Sequence, residues 1–250
     1  MIRSLCDLSR LSFFFQLALA TALLAVVPAA SSAWAQSTGA AGAALEPACP
    51  PSSADADPLT AVQNFPWQGR NVVARACWIG AKDRQGDRLV LELQLEGQPL
   101  LRQQVSAGPS LEGPLEALRF DNTRFVLSER VESGLTLGLR LSTRNRGAQM
   151  NDRFVYLWLY HFDGSRLRRV FEMTVDERSD FRDCNDDCAP ATLSHSILVV
   201  QPGAGHHGLR DLRQRQKSWT EGPDGKPVGG VPPWSDQIYF FDGVSYQRQP

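Results

Sequence analysis

Apolar and polar residues alternate with a period of two over most of the chain after about residue 70. In the clearest run, Leu89, Leu91, Leu93 and Leu95 alternate with mostly polar residues, so four leucines share one face of an extended segment. Comparable patterns predict strands at residues 72–79, 88–95, 100–105, 120–131 and 135–142. Short helices are expected only around residues 114–118.

The longest apolar stretch, residues 154–175, predicts a β-hairpin at the centre of the fold. Asp163-Gly164 separates its two halves, and Asp-Gly suits the positive φ angles of a two-residue type I′ turn. This turn pairs Phe162 with Ser165 and places aromatic and apolar side chains together on one face. We expect burial of Tyr156, Trp158, Leu167 and Phe171 on that face, and a partly wet opposite face with Val155, Leu157, Leu159 and Val170.

The same register places a cation beside an aromatic ring. Arg169 falls opposite Trp158, so its guanidinium group can lie on the indole. The alternative is an arginine that merely extends its charged end to solvent.

The C-terminal part continues with strand and turn signals. Residues 193–201 predict a strand, and residues 209–219 favour one because Arg213, Arg215 and Lys217 alternate along it. Basic residues at every outward position are typical of a protected sheet edge. Residues 221–234 hold four glycines and four prolines and predict a loop, and residues 238–248 predict a second hairpin around Asp242-Gly243.

The N-terminal segment has the pattern of an export signal. Arg3 and Arg10 precede an apolar run, and Ala33-Trp34-Ala35 before Gln36 fits a signal-peptidase site. We therefore expect residues 1–35 to be removed and no stable membrane span to remain after cleavage. A retained anchor is the alternative, because the run approaches the ~20 residues that a span requires.

The remaining chain predicts two further parts. Residues 36–66 are rich in Ala, Ser, Gly and Pro and predict a flexible leader. Residues 67–250 predict a single antiparallel β domain, mainly β in class, either sandwich-like or a partly closed barrel.

The charge balance narrows the choice of partners. The formal net charge is −1 at pH 7, far from the strongly basic balance of nucleic-acid-binding proteins. The sequence therefore argues against nucleic acid and leaves an envelope protein or a polysaccharide as the expected partner.

Four cysteines remain after export, which predicts two disulfides in an oxidising compartment. Three pairings are possible. Cys184 and Cys188 lie close enough for a small clasp, which leaves Cys49 to pair with Cys77. A zinc site is the rival interpretation, but the spacing of the cysteines is not that of zinc ligands.

The acidic loop at residues 176–188 contains Asp183, Asp186 and Asp187. Asp183, Asn185 and Asp187 alternate like the first ligands of a calcium loop, but Cys188 stands where the turn glycine belongs and Ser194 where a bidentate glutamate is needed. A solvated acidic loop is therefore favoured. No metal or other cofactor is expected.

No catalytic motif stands out in the sequence. Gly203, Gly205 and Gly208 have the spacing of a dinucleotide fingerprint, but no helix and second strand follow them. Ser194 and His195 are adjacent on a predicted strand and so point to opposite faces.

The predicted signal, β body, acidic cysteine-bounded loop and closing Tyr-Phe-Phe-Asp-Gly-Val-Ser-Tyr hairpin resemble uncharacterised exported proteins of Gram-negative bacteria. The resemblance covers residues 125–246 by general pattern. It implies a periplasmic or secreted location, and it implies no activity and no functional residues.

Two functional hypotheses follow. The first is a macromolecule-binding or inhibitor-like module that uses loops with charged and aromatic residues, namely Asp183, Asp186, Asp187, Arg213, Arg215, Trp219 and Trp234. The second is an envelope hydrolase or metal-dependent enzyme assembled from His161, His195, Asp183 and Asp187. A cavity in which a histidine meets a carboxylate would favour the enzyme, and a flat face rimmed by loops would favour the binder.

Overall fold

The computed structural model describes residues 59–80, 87–106, 111–128, 134–147, 150–181, 190–222 and 224–250. The chain divides into two units, Met1–Ala44 and Leu45–Pro250, and every described residue belongs to the second. The predicted signal peptide thus lies outside the described residues. Within the described ranges, no helix has the length and apolar character needed to cross a membrane.

Two antiparallel sheets make up the described fold. The first has the strand order β1-β2-β3-β4, with β1 (Leu59–Trp67), β2 (Arg70–Ile79), β3 (Arg88–Leu95) and β4 (Gln98–Ser106). The second runs in order from β5 to β12, with β5 (Leu115–Phe120), β6 (Leu135–Arg146), β7 (Met150–Phe162), β8 (Leu167–Phe181), β9 (Thr192–His206), β10 (Leu209–Thr220), β11 (Ser235–Phe241) and β12 (Tyr246–Arg248). The mainly β, sandwich-like prediction is confirmed, and neither described sheet closes into a barrel.

Several predicted boundaries are wrong. The helix expected around residues 114–118 is part of strand β5, because buried Leu118 and Phe120 alternate with exposed Ala117 and Arg119 and the segment pairs with β6. A strand is expected at 120–131, but Phe120 is the last residue of β5 and no strand follows over residues 121–128, while residues 129–131 lie outside the described residues. The flexible leader is predicted to extend to residue 66, but strand β1 already begins at Leu59.

The central hairpin β7–β8 has a longer turn than predicted. Phe162 pairs with Leu167 instead of Ser165, which leaves the four residues 163–166 in the turn. The Asp163 carboxylate accepts hydrogen bonds from the backbone N–H groups of Ser165 and Arg166, both at 3.0 Å. These bonds favour a wider loop capped by the aspartate side chain over a type I′ turn. The second Asp-Gly turn follows the same design, since Phe241 pairs with Tyr246 and Asp242 caps the loop.

Two-residue turns do occur, but at other glycines. Among the described non-glycine residues, positive φ angles are found at Gln68, Glu96 and His207, each followed by a glycine that also has positive φ. Both central residues of a type I′ turn need this conformation. The Gly203 to Gly208 motif therefore belongs to the β9–β10 hairpin, in which His206 pairs with Leu209.

The first hydrophobic core lies between the two sheets. Trp158 and Trp78 meet across it with ring centroids 6.4 Å apart, and Phe162 contacts Trp67 at 5.4 Å. The leucines of β3 are buried here as predicted, with Leu89, Leu91 and Leu93 each at most 1% exposed. Of the four residues predicted to be buried in the hairpin, Trp158 and Leu167 lie in this core and Tyr156 is half-buried at its border.

A second hydrophobic core buries the face of the hairpin that the sequence predicts to be partly wet, so that prediction is wrong. Leu157, Leu159 and Val170 are at most 2% exposed and pack with Leu212, Phe241 and Tyr246 from the C-terminal strands. Phe171 belongs to this second core and not to the aromatic face. The sequence pattern did not reveal this face because its covering strands lie far along the chain.

Candidate binding surface

Strand β10 has one face in the core and one in solvent. Leu212 is fully buried in the second core, and Gln214 on the same face bonds to the hydroxyl of Tyr239 at 2.8 Å. Because side chains alternate along a strand, Arg213, Arg215, Lys217 and Trp219 point to the opposite face. That face is the candidate site.

Neighbouring strands add apolar and charged groups to the same face. Lys217 pairs with His195 of β9, Arg215 pairs with Ile197, and Asp236 of β11 lies on the other side of Arg215. Directly paired residues share a face. Ile197 is 37% exposed and Val199 is 39% exposed. We define the basic-aromatic face as His195, Ile197, Val199, Arg213, Arg215, Lys217, Trp219, Trp234 and Asp236.

Two tryptophans enclose the lysine of this face. The Lys217 ammonium lies 5.4 Å from the Trp219 ring and 5.0 Å from the Trp234 ring. The Arg215 guanidinium lies 5.5 Å from the same Trp234 ring. Such contacts contribute roughly 0.5–1 kcal/mol each at exposed sites. They hold Trp234, at the end of the long loop before β11, over strand β10.

Asp236 is shared between two arginines. Its carboxylate contacts Arg213 at 2.9 Å and Arg215 at 3.1 Å. No carboxylate of the described residues forms an ion pair with Lys217. The centre of the face is therefore positive, because the three positive charges of Arg213, Arg215 and Lys217 outnumber the single negative charge of Asp236.

A histidine and a carboxylate meet at the rim of the face. His195 Nδ1 lies 2.5 Å from Asp176 Oδ1, and the side chains are 36% and 47% exposed. The His195 ring is also 5.9 Å from the Trp234 ring. Ser194 points to the other face, as predicted, where its hydroxyl bonds to Glu177 at 3.4 Å. The pair thus lies on an open sheet surface instead of in a cavity.

The other histidine of the enzyme hypothesis is a core residue. His161 is 6% exposed, and its Nδ1 bonds to the Thr136 hydroxyl at 3.1 Å. Burial lowers the pKa of His161. No carboxylate accepts a hydrogen bond from it in the described part of the chain.

The structure brings together four of the residues predicted to bind: Arg213, Arg215, Trp219 and Trp234. The three predicted aspartates, Asp183, Asp186 and Asp187, lie outside the described residues, as do Cys49, Cys184 and Cys188. Cys77 is fully buried and disulfide-bonded, while the predicted pairings stay predictions.

The sequence pattern placed Lys217 at an outward position with Arg213 and Arg215, although Lys217 was not counted among the binding residues. The other members of the face were missed, namely His195, Ile197, Val199 and Asp236. The alternation of β9 and β10 was a usable signal, but their register was not known. The edge-strand interpretation of β10 is wrong, because the strand lies between β9 and β11.

Metal chemistry finds no support in this region. Among the described residues, no group of three or more His, Cys, Asp or Glu side chains could hold a metal ion. What the basic-aromatic face offers is positive charge, two indole rings and exposed aliphatic groups. No protein family model, curated protein or solved structure matches the chain.

Proposed function

We propose that the protein is an exported recognition module that binds an acidic macromolecule of the cell envelope through the basic-aromatic face. The observation that carries this proposal is the arrangement of Arg215, Lys217, Trp219 and Trp234 around an interior strand of the sheet. Arginine and tryptophan are the residue types enriched at binding hot spots.

Protection of a sheet edge does not explain the basic residues on the outward face of β10. Basic residues that face outward on an edge strand prevent pairing with other chains, but β10 already has partners on both sides. Ile197 and Val199 are exposed beside the cations although the strand could carry polar residues there. Exposed apolar side chains grouped with charged ones are typical of an interaction surface.

The excess positive charge determines the chemistry of the partner. A partner with carboxylate or phosphate groups complements Lys217 and the arginines, and attraction between exposed charges weakens as salt increases. An acidic envelope protein and an acidic polysaccharide both satisfy this requirement.

The test compares capture from envelope fractions at low and high salt. The double variant Arg215→Gln and Lys217→Gln should lose the ligand that the wild type captures at low salt. A matched control is Arg119→Gln with Arg124→Gln, since both arginines are exposed and outside the face. If the wild type and both double variants capture the same ligand equally well, the basic-aromatic face is not the binding site.

We further propose export and cleavage before Gln36, which rests on the sequence pattern of residues 1–35. Intact-mass measurement of protein from a periplasmic extract tests it. A mass that includes residues 1–35 would indicate a membrane anchor.

The second candidate, a hydrolase, rests on the contact between His195 and Asp176. A histidine oriented by a carboxylate is the base of many hydrolytic sites. A hydrolase screen in which turnover disappears with His195→Ala would replace the binding proposal. If the wild type captures its ligand but shows no turnover in the hydrolase screen, the hydrolase hypothesis is wrong.

A further inference from the structure

A groove of about 550 Å³ lies on the side of β7 that also carries Trp158. Trp158 itself packs against Trp78 of the first sheet. Asp152, Phe154 and Tyr156, nearer the start of the strand, line the groove. The groove and the basic-aromatic face are on opposite sides of β8, because Glu177 lines the groove while its neighbour Asp176 pairs with His195.

Asp152 is the unusual residue of this groove. Its side chain belongs to a residue only 8% exposed, and its Oδ1 atom is buried without a hydrogen-bond partner. A buried acceptor that lacks a donor destabilises the folded state, so native proteins seldom retain one without a reason. A positively charged ligand in the groove would compensate the charge of this carboxylate.

The lining of the groove specifies the charge of that ligand. Four carboxylates line it, those of Glu112, Asp152, Glu172 and Glu177, and no lysine or arginine is among the lining residues. Arg169 contacts Glu172 at 3.2 Å from outside the lining. The groove therefore favours a positively charged group that donates hydrogen bonds.

The aromatic residues favour an organic cation over a metal ion. The Phe154 and Tyr156 rings are stacked with centroids 6.0 Å apart and an interplanar angle of 24°. Aromatic faces attract ammonium and guanidinium groups. The carboxylates do not converge as metal ligands, since the described residues contain no group suited to a metal ion.

We propose that this groove binds an ammonium or guanidinium group, with an N–H donor to the Asp152 carboxylate and the aromatic pair of Phe154 and Tyr156 beside the cation. This chemistry is present in a free polyamine and in the basic side chain of a peptide. The site is independent of the basic-aromatic face and uses none of its residues.

The experiment is calorimetric titration of the full chain with spermidine, with a tetra-arginine peptide and with a tetra-glutamine peptide as the neutral control. We expect saturable binding of a cationic probe and none of the neutral peptide. Asp152→Asn retains the shape of the side chain but removes the charge, and should weaken binding by roughly tenfold to 100-fold. Asp224→Asn, at an exposed carboxylate away from the groove, should leave binding within twofold.

Thermal unfolding of the ligand-free protein separates this role from a structural one. The amide introduced by Asp152→Asn carries no unpaired charge, so this variant should unfold at the same or a higher temperature than the wild type even though it binds more weakly. If that variant fails to fold, Glu177→Gln provides the second measurement and should also weaken binding. Tighter binding of the peptide than of spermidine identifies a basic peptide as the natural source, and the reverse order identifies a free polyamine. The proposal is overturned if neither cationic probe binds saturably, or if both groove variants bind as the wild type does.

Discussion

Replacement of Trp158 by Ala removes the aromatic ring at the centre of the first core. Trp158 is 1% exposed, faces Trp78 at 6.4 Å and has the Arg169 guanidinium 4.7 Å above its ring. A buried aromatic of this kind removes on the order of 200 Å² from water, which corresponds to about 5 kcal/mol at 25 cal/mol per Å². Large-to-small changes in cores typically cost about 3–5 kcal/mol. We expect a loss in that range.

Urea unfolding followed by far-UV circular dichroism measures the loss without relying on tryptophan fluorescence. Trp219→Ala is the matched control, because Trp219 is half-buried on the basic-aromatic face and should cost about 1 kcal/mol or less. If Trp158→Ala loses less than about 1 kcal/mol, the ring does not fill a core between the two sheets and the packing described above is wrong.

Further predictions concern pH, the central turn and the cysteines. Burial lowers the pKa of His161, so the unfolded chain binds a proton more readily and stability should fall as pH drops below about 6.5; His161→Gln should flatten that dependence in urea unfolding between pH 5 and 8. Burial acts to raise the pKa of Asp163, but hydrogen bonds from Ser165 and Arg166 outweigh it and hold this pKa well below its usual range. Asp163→Ala should therefore cost ~1 kcal/mol at pH 7, as loss of a cap does, and unfolding in acid should show this difference shrinking below pH ~4. Non-reducing peptide mapping should join Cys77 to Cys49, and a bond from Cys49 to Cys184 would refute that pairing.

Local patterns predicted strands well where leucines recur at every second position, even in β3, whose other face with Val90 and Glu92 is also buried. The alternation of Leu89, Leu91 and Leu93 identified β3 with its observed bounds. The contact of Arg169 with Trp158 is also confirmed, although Arg169 pairs directly with Tyr160. A long flexible side chain reaches its target across a register difference of this size.

Patterns failed where a side chain or a distant strand competes with the local signal. The Asp163 carboxylate binds the turn backbone and widens a loop that the Asp-Gly dipeptide alone predicts to be tight. The sequence pattern predicts a partly polar face with Leu157 and Leu159, but strands from the C-terminal third of the chain cover this face.

The candidate site was predictable only in part for the same reason. The residue types of Arg213, Arg215, Trp219 and Trp234 are sufficient to predict a role in binding. Their assembly around Lys217 depends on a loop that returns Trp234 to strand β10, and no local pattern encodes that return.

The most direct test of the basic-aromatic face is site-specific photo-crosslinking in the intact cell envelope. A photoreactive amino acid at Ile197, which is 37% exposed within the face, should yield a discrete cross-linked product. The matched position is Val62 on strand β1, which is 57% exposed outside the face and should yield none. The product from position 197 should also diminish when Arg215→Gln and Lys217→Gln are added. No product from position 197, or the same product from positions 197 and 62, would contradict recognition through this face.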